Sequence, residues 1–257
     1  YFAVKVPLTP EGYLAVRTLR QEGVPINFTL GFSVRQNYLA ARLANPDFVN
    51  VFLGRLNQVV MDHNAGTGEL VGEKVTLATQ QALRSAREND KHVSSRLIAA
   101  SIRNGEQVAF LAGLDVLTIP PKAMKDYQDS GKLPDQVVSH IDDSIEPGVD
   151  PQHRFAKRFS ELWQLSEEFR NFVDALVARP DLDSMQGEEL DKIARDVNLF
   201  HPFSEDDLNK IQEHGKIPDL NAWPDSVALD DLMTQSALQS FTKDQNALDE
   251  RIRSFLK

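Results

Sequence analysis

The 257-residue sequence predicts an α/β fold of TIM (β/α)8-barrel type followed by an all-helical region, on three observations. Short β-rich apolar runs alternate five times with helically spaced stretches by about residue 131, the early runs keep their polar residues to one parity, and beyond residue 150 apolar positions recur only at three- and four-residue intervals. Strands alternating with helices pair in parallel through right-handed crossovers, as an open doubly wound sheet or a closed barrel. Strands covered by helices on both faces read as nearly continuous apolar runs. Here each has one polar face, which fits a barrel whose polar residues face the lumen; the competing reading is edge strands with that face in water.

The strands are expected at Phe2 to Val6, Ile26 to Phe32, Phe48 to Leu53, Arg96 to Ile102 and Val116 to Ile119. Thr9-Pro10-Glu11 writes a helix start, with a hydroxyl cap, a proline in the first turn and an acid behind it. Leu14, Ala15, Thr18 and Leu19 are expected to form its inner face, and Gly23 to end it. Further helices are expected at Val34 to Leu43, Lys74 to Asn89, Gly105 to Ala112 and Lys122 to Asp129. In the second half, Phe155, Phe159, Leu162, Trp163, Phe169, Phe172, Val173 and Leu176 form an aromatic-rich stripe of the kind that packs a core, ending near Pro180. Leu190 to Val197, a segment opened by Ser204 and Glu205, and a last helix carrying Leu248, Ile252 and Phe255 follow. The expected division is a partial barrel over 1–131, a helical insertion over 132–230, and a C-terminal helix over 231–257 packing on the barrel.

With 41% hydrophobic and 26% charged residues the chain can build a core, and no apolar run is long enough to span a membrane. It contains no cysteine, which removes thiolate nucleophiles, disulfides and Cys-ligated zinc; the cytoplasm is the expected compartment. Residues 1–121 hold 12 Lys/Arg and 10 Asp/Glu, whereas residues 122–257 hold 16 and 28. A net charge of −10 carried by the second half argues against a nucleic-acid surface. The opening at Tyr1, directly before a strand, reads as a fragment or trimmed chain.

Lys5 stands alone in Phe-Ala-Val-Lys-Val-Pro. An amine held in an apolar lumen loses charge and becomes a nucleophile for carbonyl carbon. Alternatively, its stem is buried and the amine hydrated. Asn27 and Thr29 share a strand face, where an amide can hold substrate hydroxyls and a hydroxyl can position water; each could equally satisfy an interior hydrogen bond. Asn50 shares parity with Phe52, and Ser101 and Arg103 with Ala99. Arg55 and Arg103, each following a strand, could grip a phosphate together with Ser101, or make surface salt bridges. The six histidines lack ligand spacing, so no metal is expected. Asn64-Ala65-Gly66-Thr67-Gly68 lacks the context of a phosphate loop and reads as a flexible connection.

Val4-Lys5-Val6-Pro7 before Thr-Pro-Glu-Gly, Ile26-Asn27-Phe28-Thr29-Leu30-Gly31-Phe32-Ser33, Phe52-Leu53-Gly54-Arg55, Ala100-Ser101-Ile102-Arg103-Asn104 and Leu117-Thr118-Ile119-Pro120 occur in an order that resembles the second part of a transaldolase barrel. The resemblance covers residues 1 to about 127, and Ser240-Phe241-Thr242-Lys243-Asp244-Gln245 resembles the family's closing helix. It implies the last five strands of a barrel of eight, with roughly 100–130 further residues upstream supplying three strands that carry an aspartate and an acid/base glutamate. It also implies that Lys5 forms a Schiff base with a ketose phosphate, that Asn27 holds hydroxyls of the dihydroxyacetone unit, that Thr29 orients water, and that Arg55, Ser101 and Arg103 bind phosphate. Asn50 stands where the family commonly has serine. Phe52, where the aldolase branch has tyrosine, favours the transaldolase branch.

The function so implied is transfer of a dihydroxyacetone unit from sedoheptulose 7-phosphate or fructose 6-phosphate to an aldose phosphate in the pentose phosphate pathway. The alternatives are a fructose-6-phosphate aldolase, a transaldolase for another anionic ketose, and a catalytically silent barrel with an acidic helical partner-binding module. Sugar phosphates are the expected partners; no cofactor, nucleic acid or membrane is, and a homo-oligomer is left open.

Overall fold

In a computed structural model describing residues 2–256, five parallel strands run in sequence order: β1 (Val4–Pro7), β2 (Ile26–Thr29), β3 (Phe48–Phe52), β4 (Arg96–Ala100) and β5 (Val116–Leu117). All five strands were legible, each trimmed at its C-terminal end except β1, which runs one residue further. They do not close on one another. β1 and β5 are both edges, so the described residues form an open parallel α/β sheet rather than a complete barrel. The ladder pairs Lys5 with Asn27, Pro7 with Thr29, Asn50 with Ile98 and Phe52 with Ala100, which puts these residues on one face. Ile26, Phe28, Val49, Val51, Leu97 and Ala99 point the other way and are fully buried. The parity expected for Ser101 is therefore corrected: Ala99 faces the helical layer, and Ser101 lies past the end of β4 with φ +67°, where strand alternation no longer applies.

Helix α1 (Pro10–Gln21) starts as written, with Gly12 N–H donating to Thr9 Oγ1 at 3.1 Å. Its inner face is Gly12, Tyr13 and Val16, whereas Ala15 and Thr18 are exposed. The register is set at Gly12, where a Cβ would lie 2.3 Å from the Pro7 carbonyl oxygen; the helix is pressed onto β1 at a residue that no hydropathy pattern marks. Helix α2 (Val34–Leu39) continues into a π-helical turn over Ala40–Ala44. Helix α3 (Leu53–Asp62) had no counterpart in the sequence reading, because it leaves β3 without a turn and Leu53 was absorbed into the strand. Helices α4 (Val71–Asn89), α5 (Gly105–Phe110) and α6 (Pro121–Asp129) complete this part. The Gly66–Gly68 loop is pinned rather than free, with Gly68 N–H donating to Gly148 O at 2.9 Å and Gly148 N–H to Glu69 O at 2.7 Å.

The second half is less uniformly helical than expected, since residues 137–155 contain no helix around Pro147 and Pro151. The aromatic stripe divides between α7 (Ala156–Ser160) and α8 (Glu167–Val177), because Ser166 starts a new helix by accepting the Phe169 N–H. Phe155, Phe159, Phe169 and Val173 are buried in one core with the strand-packing helices. Helices α9 (Gly187–Ala194) and α10 (Glu205–His214) lead to the long α11 (Leu229–Phe255), buried over Leu229 to Met233 and exposed at Leu248, Ile252 and Phe255. The charge asymmetry has a structural counterpart. Arg17, Arg35, Arg42 and Arg84 of the first half pair with Asp183, Asp230, Asp174 and Asp142 of the second at 2.7–3.1 Å. Among the described residues no helix is long and apolar enough to cross a membrane.

Candidate active site

Three polar side chains on the shared sheet face form one hydrogen-bonded group. The Leu30 N–H donates to Asn50 Oδ1 at 3.2 Å, and because a backbone N–H can only donate, this fixes the Asn50 amide. Its Nδ2 is thereby aimed at Asn27 Oδ1 (2.9 Å) and Thr29 Oγ1 (3.2 Å). Thr29 and Asn50 are buried, while Asn27 is half-exposed and adjoins Lys5 across the ladder. Close approach is needed here too: a Cβ on Gly31 would lie 2.4 Å from the Asn50 carbonyl oxygen. Lys5 itself is exposed on the edge strand, so the enclosed apolar lumen expected around it is not formed by the described residues, and for β1 the edge-strand reading is the one observed.

Arg55 lies in the first turn of α3, is only 8% exposed, and its Nη1 is buried without a hydrogen-bond partner. Arg103 is exposed, and among the described residues neither arginine makes a salt bridge, unlike most arginines of this chain. Burial lowers the Arg55 pKa, the neighbouring Arg103 charge lowers it further, and Asp244 on α11 partly opposes them. Two guanidinium groups held together without a carboxylate between them form an anion site in charge and in hydrogen-bonding capacity. Helix α3 adds to it: Phe52 at its start supplies no side-chain cap, which leaves the first-turn N–H groups for an anion. Ser101, half-buried in left-handed backbone, places its carbonyl against Gly54 between the two arginines in sequence order.

Lys5 and Arg55 are joined through a residue whose placement sequence reasoning did not foresee. Phe241 of α11 has the Lys5 amine 5.3 Å from its ring centre and the Arg55 guanidinium 5.8 Å from it, with Phe52 edge-on at 6.4 Å. The amine and the anion site thus face one aromatic wall.

A family model described as transaldolase/fructose-6-phosphate aldolase matches residues 1–178. The chain belongs to the transaldolase/fructose-6-phosphate aldolase family. A probable transaldolase of Parvibaculum lavamentivorans is 38% identical over 125 residues, covering 48% of this chain and 51% of that protein. One from Thermus thermophilus is 39% identical over 124 residues (48% and 49%), and one from Nitrosopumilus maritimus 34% over 120 residues (46% and 48%). The chain spans about half the length of these curated relatives.

For a transaldolase-family chain the match to residue 178 reaches past residue 127, where the motif resemblance stopped, and takes in α7 and α8. The seven residues singled out from the sequence fall in two groups: Lys5, Asn27, Thr29 and Asn50 within strands β1 to β3 on the shared sheet face, and Arg55, Ser101 and Arg103 beyond the C-terminal ends of β3 and β4, at the start of α3 and in the loop before α5. The sequence signal that could have found Phe241 was the spacing of Leu238, Phe241 and Leu248, one amphipathic stripe whose first members are covered and whose last is not.

Proposed function

We propose that this chain carries the Schiff-base and phosphate-binding parts of a transaldolase site. The observation that supports it most is that Lys5, paired with Asn27 of the Asn27–Thr29–Asn50 group, and Arg55, which with Arg103 makes no salt bridge among the described residues, both lie against the Phe241 ring. The Lys5 amine attacks the ketone carbon of a ketose phosphate, and loss of water leaves an imine. Asn50 occupies Asn27 Oδ1, so the Asn27 amide nitrogen is the atom presented to hydroxyls of the bound unit. Thr29 positions the water through which protons reach and leave them. Cleavage of the carbon–carbon bond releases an aldose and leaves a three-carbon enamine on Lys5; that carbon attacks the aldehyde of an incoming aldose phosphate, and hydrolysis of the new imine frees the product. Arg55, Arg103 and the α3 N–H groups hold the phosphate of donor and acceptor in turn.

The test is reduction with borohydride in the presence of fructose 6-phosphate, read by peptide mass spectrometry. A reduced six-carbon or three-carbon adduct on Lys5, absent in Lys5→Ala, is expected. A folded chain labelled elsewhere or not at all overturns the assignment.

A further inference from the structure

Glu73 is the acid in the first turn of α4 and only 3% exposed, and it is a residue for which the chemistry above has no use. Carrying a carboxylate into a protein interior costs several kcal/mol unless its oxygens are satisfied. Both are satisfied, by two side-chain amides. Gln107 Nε2 donates to Glu73 Oε1 at 2.7 Å, and Asn57 Nδ2 donates to Glu73 Oε2 at 3.0 Å.

The directions of these bonds are forced. Gln107 Oε1 accepts the backbone N–H of Arg103 at 2.7 Å, and Asn57 Oδ1 accepts the backbone N–H of Gly72 at 2.6 Å. Backbone N–H groups only donate, so each amide must turn its oxygen toward the backbone and its NH2 toward residue 73. Residue 73 must then accept at both ends, which a carboxylate does and a carboxamide of the same shape does not. Reorienting either amide to suit a carboxamide at that position would set two donors face to face at Arg103 or at Gly72.

Asn57 is two residues beyond Arg55 in the first turns of α3, and Gln107 reaches back from α5 to Arg103. Gly72 lies so close to Leu53, the first residue of α3, that a Cβ on it would be 2.2 Å from the Leu53 carbonyl oxygen. One carboxylate therefore ties the helix that carries Arg55 to the loop that carries Arg103. We infer that Glu73 is a positioning residue that fixes the spacing of the two phosphate-binding arginines. This rests on the anion site proposed above.

The experiment is titration of the folded chain with inorganic phosphate, well below its melting temperature, for wild type, R55M, R103M, E73Q and the swap E73Q/Q107E. In the swap, the carboxylate introduced at position 107 accepts from both the Arg103 N–H and the new amide at position 73, whose own oxygen accepts from Asn57, so every donor again meets an acceptor. Wild-type binding is expected to depend on both arginines, E73Q to weaken it about tenfold, and the swap to return it to within about twofold. Phosphate binding indifferent to R55M and R103M overturns the anion site, and the positioning role with it. Binding that needs the arginines but is unchanged in E73Q, or lost in E73Q and not recovered in a folded swap variant, overturns the positioning role alone. Should E73Q fail to fold, the swap decides: folded with near-wild-type affinity supports the role, folded and tenfold weaker overturns it.

Discussion

Arg103 lies across Gly54 so closely that a Cβ at position 54 would sit 2.6 Å from its Nε and 2.3 Å from the Ser101 carbonyl oxygen. The contact seats the start of α3 against the end of β4 and brings two like-charged side chains near one another, neither of them salt-bridged among the described residues. Replacing Gly54 by alanine must push the Arg103 side chain aside or open the β4–α3 contact. Overpacking of this kind costs roughly 1–3 kcal/mol. The expected outcome is a lowered melting temperature together with weakened phosphate binding, measured by thermal unfolding with and without phosphate; a variant that melts lower yet binds phosphate as well as wild type would count against the contact as a determinant of the site.

Arg55 is nearly buried, with Nη1 unpartnered and its pKa lowered by burial and by Arg103. Such a group destabilises the fold that holds it, because its desolvation is not repaid by an acceptor. Arg55→Met keeps the stem and removes the charge. The variant is expected to melt higher, by about 1–2 kcal/mol in stability, while losing phosphate binding; calorimetry on the same two samples checks both halves. A destabilised R55M would mean that the guanidinium serves the fold.

The strands, and the positions of Arg55 and Arg103 just after β3 and β4, were legible because β-rich runs of Val, Ile and Phe and their flanking motifs lie within a few residues of one another. What was not legible depended on contacts between distant segments. The inner face of α1 is decided at Gly12 by β1, and the exposure of Lys5 follows from the place of β1 at the sheet edge. Phe241 is separated by 186 positions from the Arg55 it packs against, and Glu73 takes its meaning from amides on α3 and α5. Helix α3 was missed for a local reason: without a cap or turn residue between Phe52 and Leu53, nothing in the sequence separates strand from helix.

The Asn50 amide ties β3 to three points along β2 and its end: the Leu30 backbone, Asn27 and Thr29. Leu30 stands at φ +70°, a conformation disfavoured for a branched side chain, so its N–H is held in place by Asn50 rather than by propensity. Asn50→Leu orphans that N–H and frees Asn27 to rotate. The expected loss is roughly 1–3 kcal/mol for the buried donor alone, with Lys5 labelling by fructose 6-phosphate slowed. Unchanged labelling in a folded N50L chain would show that Asn27 does not need the orientation Asn50 imposes.

The buried pair Asp230 and Asp231 at the start of α11 predicts a pH dependence of stability. Burial pushes the Asp230 carboxyl up, but the Arg35 guanidinium, bonded to both its oxygens, and Ser33 more than offset this and hold it below the usual carboxylate range. For Asp231, burial and then the charge of Asp230 outweigh the Arg35 charge and the His201 and Phe200 backbone, and its pKa rises to about 7. An acid whose folded pKa lies above its unfolded value of about 3.9 binds more protons folded than unfolded between those limits. By linkage, the stability it contributes is complete below pH ~4 and is lost as pH rises through about 7. Asp231→Asn keeps an oxygen for the His201 N–H and cannot ionise. Between pH 5 and 8 the wild-type melting temperature is therefore expected to lose about 5–10 °C that D231N does not lose, the variant being the more stable at pH 8. Parallel pH profiles for the two chains would place the proton elsewhere and leave Asp231 ionised beside Asp230 in the folded state.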